Sequence, residues 1–146
     1  MGKRIYVLDT SALLAYPDLM FRLEGDCEIV IPRAAVRELD GLKRSKHLMI
    51  VNAAETVLNT LHFYGGQLNT GAELLTGATL RTCTEYEPLD DLASEADNEI
   101  VGAAIRLHGE TGGEVIVLST DINMRNVARV YGLTAKLPYF EGNMAA

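Results

Sequence analysis

The order of apolar runs and helical segments is the feature of this sequence that most constrains its fold. Five short runs are rich in β-branched or other apolar residues, and the strongest of them alternate little between apolar and polar positions, as is typical of strands buried on both faces. Segments with an apolar residue every three or four positions separate the runs and predict helices, one of them ending at Gly65 and another near Gly109. Strands that alternate with helices indicate βαβ units, so we expect an α/β fold whose mainly parallel sheet has about five strands and helices on both faces. The predicted strands are 4–8, 27–31, 79–83, 115–118 and 133–135, and the predicted helices lie within 11–21, 33–42, 50–64, 96–107 and 122–131.

Length, charge and composition set the class of protein. The chain has 146 residues, 48% of them hydrophobic, which suits a single globular domain over 1–146. Thirteen Lys and Arg residues against twenty Asp and Glu residues give a net charge of −7, which argues against a large basic surface for nucleic acid. Two cysteines and three histidines are too few for a Cys-rich or His-rich metal framework. No targeting segment and no membrane-spanning apolar run is found, so we expect a cytoplasmic protein without a membrane partner.

Four acidic residues stand near the ends of predicted strands or the starts of predicted helices. Asp9 follows the first strand, and Asp121 follows the fourth. Glu38 lies in the first turns of the helix after the second strand, and Asp97 comes three residues after Ser94 in a pattern typical of a helix start. Each acid also has a purely structural explanation, because Asp and Ser cap helices and a helical Glu commonly pairs with a base.

These four acids are expected to converge. The carboxyl ends of parallel strands meet at one edge of the sheet, where α/β folds bind their ligands. Four carboxylates close together repel each other, and hard divalent cations relieve that repulsion, so the sequence predicts one or two Mg²⁺ or Mn²⁺ ions. Such a site suits phosphodiester hydrolysis by metal-activated water and needs no histidine base.

The motifs around the acids resemble those of the PIN-domain nucleases in order and spacing, and the resemblance covers 3–139. Within that family, segments 7–11, 38–43 and 118–125 look most like the PIN module found N-terminal to PhoH-like ATPases, with VapC-type toxins as related kin. The resemblance implies a Rossmann-like three-layer fold and metal-dependent cleavage of single-stranded RNA, with 140–146 as a tail or linker. The family's catalytic and metal-binding acids match Asp9, Glu38, Asp97 and Asp121.

The resemblance also implies supporting residues and partners. Ser119 matches a hydroxyl residue that helps to fix carboxylates and waters, and Thr10 is a further supporting polar residue. Ser11 stands where many members have Asn, and Asn123 stands where some carry an additional acid, which leaves less charge for a second metal ion. The implied partners are single-stranded RNA, an antitoxin or a PhoH-like ATPase domain, and a second copy of the chain in a homodimer.

Basic residues are unevenly distributed along the chain. Segment 33–47 carries five bases and two acids, a net charge of +3 that leaves −10 elsewhere. A basic rim beside Glu38 would give salt-sensitive affinity for phosphates, and a solvated helix end is the alternative interpretation. Tyr16 or Tyr139 is a candidate for base stacking, and in the acidic segment 85–99 Asp91 and Glu95 are candidate substitute ligands. The candidate RNA-binding residues are Arg33, Arg37, Lys43, Arg44, Lys46 and Arg125.

Two alternatives to a ribonuclease stay open at this stage. One is a weakly active or inactive fold of this family that binds RNA or protein, and the other is a metal-dependent DNA nuclease or phosphatase. Other phosphate-handling classes fit poorly. Neither a GxxxxGK[ST] phosphate loop nor a GxGxxG dinucleotide motif is present, and Ser11 occupies the position where a haloacid-dehalogenase-type phosphatase needs a second Asp.

Overall fold

The computed structural model describes residues 3–138, and its centre is a six-stranded sheet. The strands are β1 (Arg4–Leu8), β2 (Cys27–Pro32), β3 (Ala72–Glu73), β4 (Thr79–Cys83), β5 (Val115–Leu118) and β6 (Thr134–Lys136). Their order across the sheet is β3–β4–β2–β1–β5–β6. Only β3 runs antiparallel to its neighbour; the other four pairs are parallel.

Helices separate all of these strands except β3 and β4 and complete a three-layer α/β fold, as the sequence pattern predicts. Two short 3₁₀ turns, Leu19–Phe21 and Gly65–Asn69, follow the first and third helices. The helices are α1 (Thr10–Ala15), α2 (Arg33–Leu42), α3 (Leu48–Tyr64), α4 (Glu95–Thr111) and α5 (Ile122–Val130).

The predicted strands and helices are all present, and several of their limits differ by one or two residues. The sixth strand, β3, is missed because two residues at a sheet edge give no periodic pattern. The last strand begins one residue later than predicted. The expected helix end near Gly109 is wrong, because α4 continues through that glycine to Thr111. The next residue, Gly112, caps the helix with a φ of +67°, in the left-handed region that glycine readily adopts.

Burial explains why the central strands read as nearly continuous apolar runs. Val7 on β1, Ile29 on β2 and Val117 on β5 are completely buried. Strands covered by helices on both faces place every side chain in the core, so the usual alternation with polar residues disappears. The sheet therefore gives a rigid base for the polar residues that follow its strands.

The register of β1 and β5 brings two chain segments together. The strands are parallel, and Leu8 pairs with Leu118 at their carboxyl ends. Asp9 and Ser119 therefore leave the sheet side by side, although they are 110 residues apart in the chain. Three of the predicted helix caps are confirmed: Asp9, Ser94 and Asp121 each accept a backbone N–H at the start of α1, α4 and α5.

One glycine allows the segment 84–94 to pack against α4. The Glu87 N–H donates to the Gly102 carbonyl at 3.0 Å, and a Cβ at Gly102 would lie 2.0 Å from the Glu87 carbonyl oxygen. The Asn98 side chain bonds both the N–H and the carbonyl of Leu92. These contacts fix the segment that leads into the first turn of α4.

Within residues 3–138, none of the helices combines the length and the apolar character that crossing a membrane requires.

We predict that Gly102→Ala destabilises the protein by about 1 to 3 kcal/mol, because the added methyl group collides with backbone rather than with a movable side chain. Thermal unfolding should show a melting temperature lower by several degrees. Gly109→Ala in the same helix is the matched control. Its Cβ would meet nothing within 4 Å, so that variant should be unchanged or slightly more stable. Equal melting temperatures for the two variants would contradict the close approach at Gly102.

Candidate active site

Asp9 is a carboxylate almost removed from water, with 2% of its surface exposed. Its Oδ1 accepts the Ala12 N–H at 2.8 Å, and its Oδ2 accepts the Ser119 hydroxyl at 2.5 Å. The Ser11 hydroxyl lies 2.9 Å from both oxygens. Burial raises the pKa of Asp9 and the nearby Asp121 raises it further, whereas the three donors lower it by stabilising the charged form.

Two serine hydroxyls join the end of β1 to the loop after β5. Ser119 is completely buried, and while it donates to Asp9 its oxygen accepts the Asp121 N–H at 3.0 Å. The Ser11 oxygen accepts the Thr120 N–H at 3.1 Å. The two serines thus fix the position of the Asp9 carboxylate and the path of the chain into Asp121.

Glu38 is held at the same edge of the sheet by a neighbour of Asp9. It is half-buried on α2, and its Oε1 accepts the Thr10 hydroxyl at 2.6 Å. Thr10 is the first residue of α1 and is itself buried. The hydrogen bond therefore ties α2 to the carboxyl end of β1.

Asp97 is affected electrostatically by the other three acids. It is half-buried in the first turn of α4, where its backbone N–H donates to the Ser94 cap at 3.3 Å. Burial is the largest cause that raises the pKa of Asp97 to about 6, and repulsion from Glu38, Asp121 and Asp9 adds to it. Glu38, Asp121 and Asp9 therefore lie near enough to Asp97 to raise its pKa.

Asp121 completes the group from the start of α5. It is half-buried, and its Oδ1 accepts the Asn123 N–H at 2.9 Å. Asn123 contributes its backbone to this turn, and the residue is exposed. All four acids thus lie at helix starts or in early helix turns near the carboxyl edge of the sheet.

The donor chemistry of this group fits a hard divalent cation, although the side chains do not form a ready-made cage. Among residues 3–138, no three His, Cys, Asp or Glu side chains lie close enough together to hold a metal ion. Asp9 is turned toward Ser11 and Ser119, and Glu38 is turned toward Thr10. The donors are all carboxylate oxygens whose repulsion a cation would relieve. The ligand set therefore stays a prediction from the sequence: Asp9, Glu38, Asp97 and Asp121.

The predicted basic residues have different environments. Arg37 pairs with Glu99 on α4 at 2.8 Å, and Lys43 pairs with Asp40 on its own helix at 3.2 Å. Arg125 donates to the Ser119 carbonyl at 3.0 Å, so it supports the loop that leads to Asp121. The remaining three are exposed on the surface: Arg33, Arg44 and Lys46.

The other candidate residues, for base stacking and as substitute ligands, either contact other parts of the protein, are exposed, or lie outside the described residues. The Arg22 guanidinium lies over the Tyr16 ring, with its central carbon 5.6 Å from the ring centroid. Asp91 accepts the Tyr131 hydroxyl, and Glu95 is exposed at the start of α4. Tyr139 and the predicted tail 140–146 lie outside the described residues 3–138.

Sequence reasoning missed three contacts that position the site. These are the Arg37–Glu99 ion pair, the hydrogen bond from Arg125 to the Ser119 carbonyl, and the hydrogen bonds between the Asn98 side chain and the Leu92 backbone. Charge pattern alone places Arg37 and Arg125 on a surface for RNA, because it carries no information about which acid or carbonyl lies across a helix interface. Only Asn98 could have been suspected from its sequence neighbours, because it follows Asp97 and lies in the turn that the Ser94 cap begins.

Comparison with known families agrees with this arrangement of acids. A family model described as PIN domain matches residues 6–137. The chain belongs to the PIN domain family. PIN domains are generally metal-dependent nucleases that use divalent ions.

Curated relatives of this PIN domain include two bacterial proteins. Protein PhoH2 of Bacillus subtilis (strain 168) is 33% identical over 145 residues, which cover 91% of this chain and 32% of the relative. Protein PhoH2 of Thermobispora bispora is 32% identical over 139 residues, which cover 91% of this chain and 31% of the relative. The chain thus spans about a third of the length of these curated relatives.

Solved structures with a similar fold are more distant in sequence. A PilT N-terminus domain protein from Sulfolobus solfataricus P2 has a TM-score of 0.54 at 13% identity, covering 92% of this chain and 87% of that one. A domain of a functionally unknown protein from Methanocaldococcus jannaschii DSM 2661 has a TM-score of 0.60 at 18% identity, covering 97% and 95%. At these identities the likeness shows the shared fold alone.

We predict that Asp97→Asn stabilises the metal-free PIN domain at pH 7.5 and has little effect at pH 4. The raised pKa means that the folded state binds the proton more tightly than the unfolded chain does. The contribution of this group to stability is therefore lost as pH rises from about 4 to about 6. Because Asp97 is half-exposed, we expect a gain of only about 2 to 4 °C in melting temperature in EDTA. Asp90→Asn, at an exposed position of the preceding segment, is the control. A loss of stability at pH 7.5 would contradict the repulsion among the four acids.

Proposed function

We propose that this PIN domain is a divalent-metal-dependent endoribonuclease that hydrolyses single-stranded RNA. One observation carries the proposal: the pairing of β1 with β5 brings the buried Asp9 and the loop into Asp121 together at the carboxyl edge of the sheet, and Glu38 is bound there by Thr10. Like charges brought to one edge repel each other, and a bound cation would relieve that repulsion. Membership of a family of metal-dependent nucleases supports the choice of chemistry.

The proposed metal ligands are Asp9, Glu38, Asp97 and Asp121. When bound, Mg²⁺ or Mn²⁺ would supply an activated water and a counter-charge for the leaving oxygen. Ser11 and Ser119 hold the Asp9 carboxylate, and Thr10 orients Glu38. With a pKa near 6, Asp97 is ionised in most molecules at pH 7.5 and offers an anionic oxygen there.

Single-stranded RNA is the proposed substrate, and three exposed cations lie on or just after the helix that carries Glu38. Arg33 is the first residue of α2, directly after β2 at the carboxyl edge of the sheet, and Arg44 and Lys46 follow the end of the same helix. Among residues 3–138, none of these three has an acid within ion-pair distance. They therefore remain available for phosphates, unlike most cations of this acidic chain.

A PhoH-like ATPase domain is the proposed partner. Both curated relatives are named Protein PhoH2, and the chain matches about a third of each. A PhoH-like ATPase domain, either added as a separate protein or fused to this chain, should then change the RNA cleavage rate in the presence of ATP. An unchanged rate would count against this partner and leave the nuclease proposal standing.

We predict that the protein cleaves labelled single-stranded RNA in Mn²⁺ or Mg²⁺ and not in EDTA. Asp9→Asn should lower the rate by roughly 100-fold or more, because a neutral amide cannot replace a buried anionic ligand. Asp90→Asn is the matched control and should retain the activity.

Parallel reactions with single-stranded DNA and a phosphomonoester separate the competing functions. Faster cleavage of either one would replace the ribonuclease proposal with a DNA nuclease or a phosphatase. RNA that is bound but not cut in any metal would indicate a binding module.

We also predict that changing Arg33, Arg44 and Lys46 together to Ala weakens RNA binding and its dependence on salt. Each lost phosphate contact should reduce the slope of log affinity against log salt by about 0.7, so the three together reduce it by about 2. Binding is measured with Asp9→Asn as the background, which removes cleavage. Lys3→Ala is the control, because Lys3 pairs with Asp26 beside the amino end of β1, at the opposite edge of the sheet. An unchanged slope would mean that RNA follows another path.

A further inference from the structure

We propose that the Arg37–Glu99 ion pair positions Glu38 and Asp97 relative to each other, and that Arg37 acts through these acids rather than through an RNA phosphate. The proposal rests on the proposed nuclease function. It makes Arg37 and Glu99 positioning residues, since neither touches a reacting atom.

The pair joins the two helices that carry the acids. Arg37 immediately precedes Glu38 on α2, and Glu99 follows Asp97 by two residues on α4. The Arg37 Nη2 and Glu99 Oε2 atoms are 2.8 Å apart. Among the ion pairs of residues 3–138, this is the one that connects two different helices.

The surroundings of the pair make it stronger than an ordinary surface contact. The Glu99 side chain is only 19% exposed, whereas the carboxylate of the local Arg22–Asp18 pair is 58% exposed. A carboxylate partly withdrawn from water gains more from a cation and loses more when the cation is removed. Arg37, at 56% exposure, still reaches solvent with part of its side chain.

The pair opposes a force that the site itself creates. Glu38 on α2 and Asp97 on α4 are both acids, and two like charges on neighbouring helices repel each other. Thr10 holds Glu38 toward β1. By contrast, the Asp97 carboxylate accepts no hydrogen bond from another residue within 3–138, so its place depends on the position of α4. A tie between α2 and α4 beside the two acids is therefore where their spacing is controlled.

The test compares Arg37→Glu, Glu99→Arg and the double charge reversal, with Glu99→Gln as a milder variant. Mn²⁺ affinity is measured by calorimetry with the metal alone, and kcat and KM are measured on single-stranded RNA. Each single variant should weaken Mn²⁺ binding and lower kcat by about 10-fold, since small displacements of ligands are costly. The double reversal should recover most of both losses. Far-ultraviolet circular dichroism and thermal unfolding confirm that each variant is folded, and Arg22→Gln, which breaks the exposed local pair, should match the wild type.

Glu99→Gln distinguishes the two roles of Arg37. If Arg37 positions the acids, this variant lowers kcat and Mn²⁺ affinity. If Arg37 instead binds RNA, releasing it from Glu99 lowers KM and leaves Mn²⁺ affinity unchanged, which would overturn the proposal. Failure of the double reversal to restore Mn²⁺ affinity would overturn it as well.

The Mn²⁺ measurement separates this proposal from the proposed function. If the wild type binds Mn²⁺ and the double reversal restores Mn²⁺ affinity, but the wild type cuts no RNA, the ribonuclease proposal is wrong and the positioning role is supported. A wild-type protein that neither binds Mn²⁺ nor cuts RNA would sink both.

Discussion

The parallel pairing of β1 with β5 is the constraint on which the site depends. Leu8 opposite Leu118 sets Asp9 beside Ser119, and the two serines then bind the loops after both strands to one carboxylate. A shift of this register by one residue would turn each side chain of β5 to the other face of the sheet. Such a shift would also separate Asp9 from Ser119, so the register of the sheet and the polar group at its edge depend on each other.

Helix capping and the proposed metal binding use the same residues. Asp9 and Asp121 accept backbone N–H groups at the starts of α1 and α5, and the Ser94 cap holds the turn that contains Asp97. A capping carboxylate has a fixed backbone position and is stabilised by the positive end of the helix. The structural explanation and the proposed catalytic one are therefore compatible, because a cap fixes the backbone position of the acid that would bind the ion.

The group of acids costs the metal-free protein stability. Burial and mutual repulsion both raise the pKa of Asp97, and burial raises that of Asp9. Hydroxyl donors and ties between helices offset this cost: Ser119 at Asp9, Thr10 at Glu38 and, as we propose, Arg37 with Glu99. A cation would relieve the same repulsion directly, so binding the proposed metal would also stabilise the folded protein. The net charge of −7 conceals this local balance.

The sequence by itself determined the strands, most helix limits, the caps and the four acids, because each depends on periodicity or chemistry within a few neighbouring residues. That the four acids share one metal site stays a prediction, since among residues 3–138 no three His, Cys, Asp or Glu side chains lie close enough together to hold an ion. Only the tertiary structure decided which side chains meet across longer distances. Arg37 faces Glu99 from 62 residues away, and Gly102 is needed because the Glu87 backbone crosses α4 there. The tertiary structure also decided the presence of the two-residue β3 and the orientation of the Asp9 carboxylate toward Ser11 and Ser119. Such contacts arise from the packing of helix faces and from strand register, and no local pattern of residues encodes their partners.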